Sequence, residues 1–188
     1  MDVTKNDQEL AGSRGFERTT CDCDLCRVPC RHMPGALAPG DLEAIAAHLG
    51  VTMSGPWVEE HSRASDGAKV LSSSGSVVSI PSMVPAQQED GSCVFLDDAG
   101  HCKVHPVAPF GCAYLDMHMG EEEADNRSRT LIMLQLGDIA SDGAYSKCVG
   151  VLKGKGCVAP PLVERRENFH QELGEVEMRM QQSEDLTT

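Results

Sequence analysis

Four cysteines fall inside one ten-residue window, Cys21, Cys23, Cys26 and Cys30, and five more follow at positions 93, 102, 112, 148 and 157. No other feature limits the fold so strongly. The chain has 188 residues, which fits one domain with short appendages. Aromatic residues make up only 4% of it, as one Trp, two Tyr and four Phe. Large rings usually dominate core burial, so an interior this poor in them needs cross-links, either covalent or through metal.

The choice between those cross-links follows from compartment. Secreted chains pair their thiols, whereas cytosolic chains keep them for metals or redox chemistry. The first twenty residues hold no apolar run, so no secretory leader is expected. No stretch approaches the roughly 18–20 apolar residues that span a bilayer. Nine is also an odd number, which leaves one thiol over in any scheme of disulfides alone. The expectation is a cytoplasmic, metal-binding protein with no membrane partner. Sixteen Lys and Arg against 29 Asp and Glu give a formal charge of −13, a field that repels phosphate backbones, so no nucleic-acid partner is expected.

Residues 1–20 are polar and patternless and read as a flexible N-terminal arm. Residues 21–158 form the cysteine-bearing domain, and 159–188 a C-terminal helix. Within the domain, Pro29 and Pro34 limit helix length around the first cysteines. Asp41 is read as an N-cap, followed by Leu42, Ile45, Ala46 and Leu49 at helical spacing and closed by Gly50. Val77–Ile80 fits a short strand. Cys93–Leu96, a turn at Asp98–Gly100, and His101–Val104 read as a β-hairpin. VAPFGCAYL after Pro106 fits a short helix or turn, and Glu121–Ile139 a longer helix with acids at its start. Cys148 and Cys157 bracket VGVLKGKG, read as a Gly/Lys-rich loop. In the final helix, opened by Pro160–Pro161, Leu162, Phe169, Leu173, Val176 and Met180 share a near-heptad face. Docking on the core and dimerisation with a protein partner both fit that stripe, docking better. The fold class expected is α+β: a small, irregular, metal-stapled domain with a short β-hairpin and several helices.

The sulfurs form three groups: 21–30, the hairpin pair 93 and 102 with 112 behind it, and 148 with 157. In a C-x-x-C knuckle such as Cys23–Cys26, two sulfurs converge on one ion as the backbone turns, at Zn–S distances of about 2.3 Å. Any single cysteine reads well as a small buried hydrophobe; nine, with four in ten residues, point to metal. A thioredoxin-like redox motif should follow a strand and open a helix, and Pro29 and Cys30 argue against that context.

The ordered elements CDLCRVPC (23–30), CVFL (93–96), CKVH (102–105), APFGC (108–112) and CVGVLKG (148–154) resemble the YkgJ family, the CxxCxxCC proteins described as zinc- or iron-chelating domains. Pro29 stands where the family has one of two adjacent cysteines, and Ala108 and Ala113 where many members have Arg. The resemblance implies as metal ligands Cys23, Cys26, Cys30, Cys93, Cys102, Cys112 and Cys148, with Cys21 as a substitute and no support for Cys157. It implies an iron–sulfur cluster or zinc, with a lean to iron–sulfur because similar domains occur in a flagellin lysine methylase lineage.

Thiolate softness admits zinc, iron–sulfur and copper(I) and argues against magnesium and calcium. His32, His101, His105 and His118 lie near cysteines in sequence, yet on a regular strand His101 and His105 would face away from Cys102. Each is read first as a surface histidine. Two alternatives accompany the metal-binding reading: an iron–sulfur or iron-dependent enzyme, and a zinc-structured interaction module. No catalytic motif singles out residues for the first.

Overall fold

The computed structural model describes residues 14–19, 21–72 and 74–185; the side chains of 162–164 and 183–185 also lie outside the description. Most of the expected N-terminal arm, residues 1–13, is not among the described residues. The part that is described packs onto the domain. Arg14 pairs with Asp41 at 2.7 Å, Phe16 meets Tyr114, and the Thr19 amide donates to the Ala113 carbonyl.

Among the described residues the expected α+β class holds, as seven α-helices and two two-stranded antiparallel sheets. Helix α1 (Asp24–His32) carries the first cysteines, α2 spans Asp41–His48, and α3 spans Gly55–His61. Strands β1 (Ser62–Ser65), β2 (Lys69–Leu71), β3 (Val77–Ser79) and β4 (Ser82–Pro85) form a nested hairpin. In it β1 pairs with β4 from Ser62↔Pro85 to Ser65↔Ser82, and β2 with β3 from Lys69↔Ser79 to Leu71↔Val77. A 3-10 turn at His105–Val107 precedes α4 (Phe110–Ala113). Then come α5 (Glu121–Ala140), α6 (Ala144–Gly154) and α7 (Leu162–Asp185).

Three local readings need correction. Asp41 is the first residue of α2, and Gly40 caps it with φ of 89°. The Asp41 carboxylate instead accepts hydrogen bonds from the amides of Ala38 and Phe110 at 2.7 and 2.8 Å, tying α2 to the start of α4. Residues 93–104 make no strand ladder, only the isolated bridges Gln87↔Cys93 and Leu96↔Cys102. Cys93, Phe95, Leu96 and Val104 are all buried, and turns send this run inward where a strand would alternate. The expected Gly/Lys-rich loop is mostly α6. Tyr145, Val149 and Leu152 form a buried stripe along it that outweighs the cost of Gly150 and Gly154, each about 1 kcal/mol against Ala.

The main core gathers Leu37, Ile45, Met83, Phe95, Val104, Val149 and Leu152, with Cys30, Cys102, Cys148 and Cys157 packed against it. A smaller core around Phe110, Tyr114 and Leu131 holds Cys112 at its edge. Between them Gln135, almost fully buried, places its amide nitrogen within hydrogen-bonding distance of the Leu37 carbonyl, the Ser82 hydroxyl and the Tyr145 hydroxyl. Helix α7 docks along α1. Val176 on its expected apolar face is buried and Met180 is exposed. No described helix is long and apolar enough to cross a membrane.

Candidate metal centre

All nine cysteines are free thiols. On α1, Cys23 is the N-cap, and Cys26 and Cys30 lie three and seven residues beyond it. That spacing puts the three on one helical face. The expected knuckle is therefore the entry to a helix, Pro29 notwithstanding. Among the described residues no strand precedes it, and the redox reading requires one.

Cys21, Cys23, Cys26 and His118 bring their ligand atoms to within 4.8 Å of one another. Four donors around a tetrahedral zinc at about 2.3 Å would be separated by roughly 3.8 Å, so these residues can close on one ion with small side-chain adjustments. The His118 Nε2 lies 3.2 Å from the Cys23 sulfur. The loop after α4 places it: the Asp116 carboxylate accepts from the His118 amide at 2.9 Å, and Arg127 of α5 donates to the Tyr114 carbonyl at 3.1 Å. Sequence spacing alone had given His118 no preference over the other histidines. Its only signal is its position six residues beyond Cys112, and only tertiary closure makes that useful.

The electrostatics divide the thiols. Burial works to raise the Cys23 thiol, but the Cys26 amide, His118 and the neighbouring thiols outweigh it and bring it down to about 7. A helix N-terminus favours a thiolate in the same way. Burial pushes Cys26 up to about 12, and the Cys21 and Cys23 thiols add to the rise. The Cys23 sulfur in turn raises the pKa of His118.

Cys30, Cys93, Cys102 and Cys112 line a cavity of about 180 Å³, with Cys21 and Cys26 also on its wall. Burial raises Cys30 to about 11 and Cys93 to about 12, and each of these two also feels the Cys102 sulfur. Cys102 is raised by burial, and Cys112 is raised well above the usual thiol range for the same reason. Three contacts fix the ring. The Cys93 amide donates to the Cys30 carbonyl at 2.8 Å, Leu96 bridges to Cys102, and the Gly35 amide donates to the Cys112 sulfur at 3.2 Å. Four deprotonated sulfurs could not share so buried a space without a cation.

Cys148 stands elsewhere. It lines a separate small cavity beside Leu42 and Glu43, and its thiol is raised by burial and by Glu43. Cys157 joins the main core, its carbonyl accepting from the Ala64 amide. His105 lines the cysteine cavity, and His101 sits at the turn 3.8 Å from Asp97. His32 faces Glu172 of α7.

No family model matches this chain, and neither a curated protein nor a solved structure matches it. What the fold and site define is a small α+β protein with a Cys3His group able to hold a metal ion.

Proposed function

We propose that this is a cytoplasmic metal-binding protein with two centres. Cys21, Cys23, Cys26 and His118 hold a zinc ion at the mouth of the cysteine cavity, and Cys30, Cys93, Cys102 and Cys112 hold an iron–sulfur cluster inside it. The convergence of four ligand atoms within 4.8 Å carries the reading. Among the described residues the deeper sulfurs form no such tight group. A cluster spreads its thiolates more widely than one ion does, because each binds a different iron.

The role that fits is a staple able to carry electrons. The deeper sulfurs come from α1, from the turns at 93–104 and from α4, elements joined by a core with few rings. Zinc would neutralise thiolates at the mouth and hold the loop of His118, and a cluster would supply one-electron chemistry. Cys148, implied by the family resemblance, is left out of both centres because it lines a different cavity.

Metal and acid-labile sulfide analysis of anaerobically purified protein tests this. The expected result is about one zinc per chain and a brown sample with iron and sulfide in equal amounts. Colourless protein with two zinc ions would replace the cluster with a second zinc site. Protein that retains its fold and binds neither metal on reconstitution overturns the reading.

A further inference from the structure

Behind the cysteine cavity lies a second, larger one of about 680 Å³, within the usual range of about 300–1,000 Å³ for small-molecule sites. Pro34, Gly35, Gly111 and Leu115 border both spaces. The partition is thin because two backbones touch there: a Cβ on Gly35 would collide with the Gly111 backbone, and one on Gly111 with Ala36 and Gly35. Leu131 and Ile132 of α5, Val84 of β4 and Val158 give the space an apolar wall.

Arg165 of α7 also lines this cavity and is 8% exposed. Its Nε donates to the Pro160 carbonyl at 3.1 Å, and among the described residues no carboxylate pairs with it. Burial alone lowers its pKa, with no acid offsetting the loss of water. The one described carboxylate on the wall, Asp66, is exposed and forms no ion pair among the described residues, and Lys153 stands exposed beside the same space. A buried guanidinium without a counter-charge is costly, and such a group recognises a carboxylate well.

We propose that this cavity binds a small organic monocarboxylate, its carboxylate on Arg165 and its apolar body along Leu131, Ile132 and Val84. One shielded cation beside the apolar wall of Leu131, Ile132 and Val84 suits one negative charge on a hydrocarbon body better than a multiply charged phosphate ester. The shared wall places such a ligand next to the cysteine cavity, but binding does not depend on which metal the cysteines hold.

The test is a methyl-NMR titration of the full chain with octanoate, with octan-1-ol as the neutral analogue and with inorganic phosphate. Octanoate should shift the Leu131 and Ile132 methyl signals saturably and bind at least tenfold more tightly than octan-1-ol. Phosphate should leave those signals in place. Arg165→Met should reduce octanoate to the affinity of the alcohol, and Ile132→Trp should block both by filling the chamber. Should Arg165→Met fail to fold, the ratio of octanoate to octan-1-ol in the unaltered chain decides. Equal affinity for the two, saturation by phosphate, or octanoate shifts that spare Leu131 and Ile132 overturn the proposal.

Discussion

The Nε2 of His118 meets the Cys23 sulfur at 3.2 Å across 95 positions of chain, which joins the loop after α4 to the first turn of α1. With Cys21 and Cys26 this closes a ring of four donors. His118→Ala should therefore weaken zinc at this site at least tenfold, about 1.4 kcal/mol, while leaving iron and sulfide content unchanged. Competition with a chromophoric chelator measures the first and elemental analysis the second. Zinc affinity unchanged by the substitution would remove His118 from the site.

Cys23 should be the reactive thiol of the reduced, metal-free protein. The thiolate is the nucleophile, and a thiol held at about 7 is half ionised near neutral pH. Cys26 and Cys93, each raised to about 12, stay protonated through pH 9. Iodoacetamide labelling followed by peptide mass spectrometry should find Cys23 alkylated well ahead of Cys26 and Cys93, its rate rising through a midpoint of about 7. Zinc should protect it. Because metal must displace the proton from Cys26, zinc affinity should rise with pH across the same range. A Cys23 midpoint near that of an ordinary thiol would contradict the electrostatics of the helix entry.

Periodicity made several elements legible in the sequence. Leu42, Ile45 and Ala46 marked α2, and the acids at Glu121–Glu123 marked the start of α5. The strand at Val77 and the docking face of α7 at Val176 were likewise readable. What periodicity could not give was closure over long separations. Cys21, Cys23 and Cys26 drew notice by crowding, but His118 lies in an irregular loop and enters the site only through the packing of α4 and α5. The turns at 93–104 resemble strands in sequence because two short apolar runs flank a Gly-containing turn, a pattern that does not distinguish a ladder from turns that bury Cys93, Phe95, Leu96 and Val104. The α6 stripe was hidden by its glycines, since a composition of Gly and Lys reads as loop until Tyr145, Val149 and Leu152 are placed together.

The glycine contact between the two cavities gives a steric test. Gly35 has its amide on the Cys112 sulfur, and its Cα faces the Gly111 backbone with no room for a methyl group. Gly35→Ala must push α4 away, at a cost of about 1–3 kcal/mol for overpacking, and moves Cys112 with it. Urea unfolding should show the loss, and iron content should fall in the same variant. Gly137→Ala, inside α5 where a Cβ meets open space, should lower neither. Full stability and full iron content in Gly35→Ala would show that the partition yields without disturbing the sulfurs.

Helix α7 is held to α1 by Glu172, which faces both Arg31 and His32. Burial works to raise its carboxyl, but hydrogen bonds from Arg31 and His32 outweigh that and hold it below the usual carboxylate range. A carboxylate depressed on folding contributes stability above its unfolded pKa, and that stability is lost as pH falls through the folded one. Glu172→Gln should therefore unfold at lower urea than the parent at pH 7, with the gap between them narrowing as pH drops below about 4.3. The pair is partly screened by solvent, so the difference at pH 7 should be modest and should shrink with salt. Because α1 carries Cys23, Cys26 and Cys30, loosening α7 should also hasten zinc loss to a chelator at neutral pH. A gap that widens in acid, or zinc release unchanged at pH 7, would show that Glu172 does not brace the metal-bearing helix.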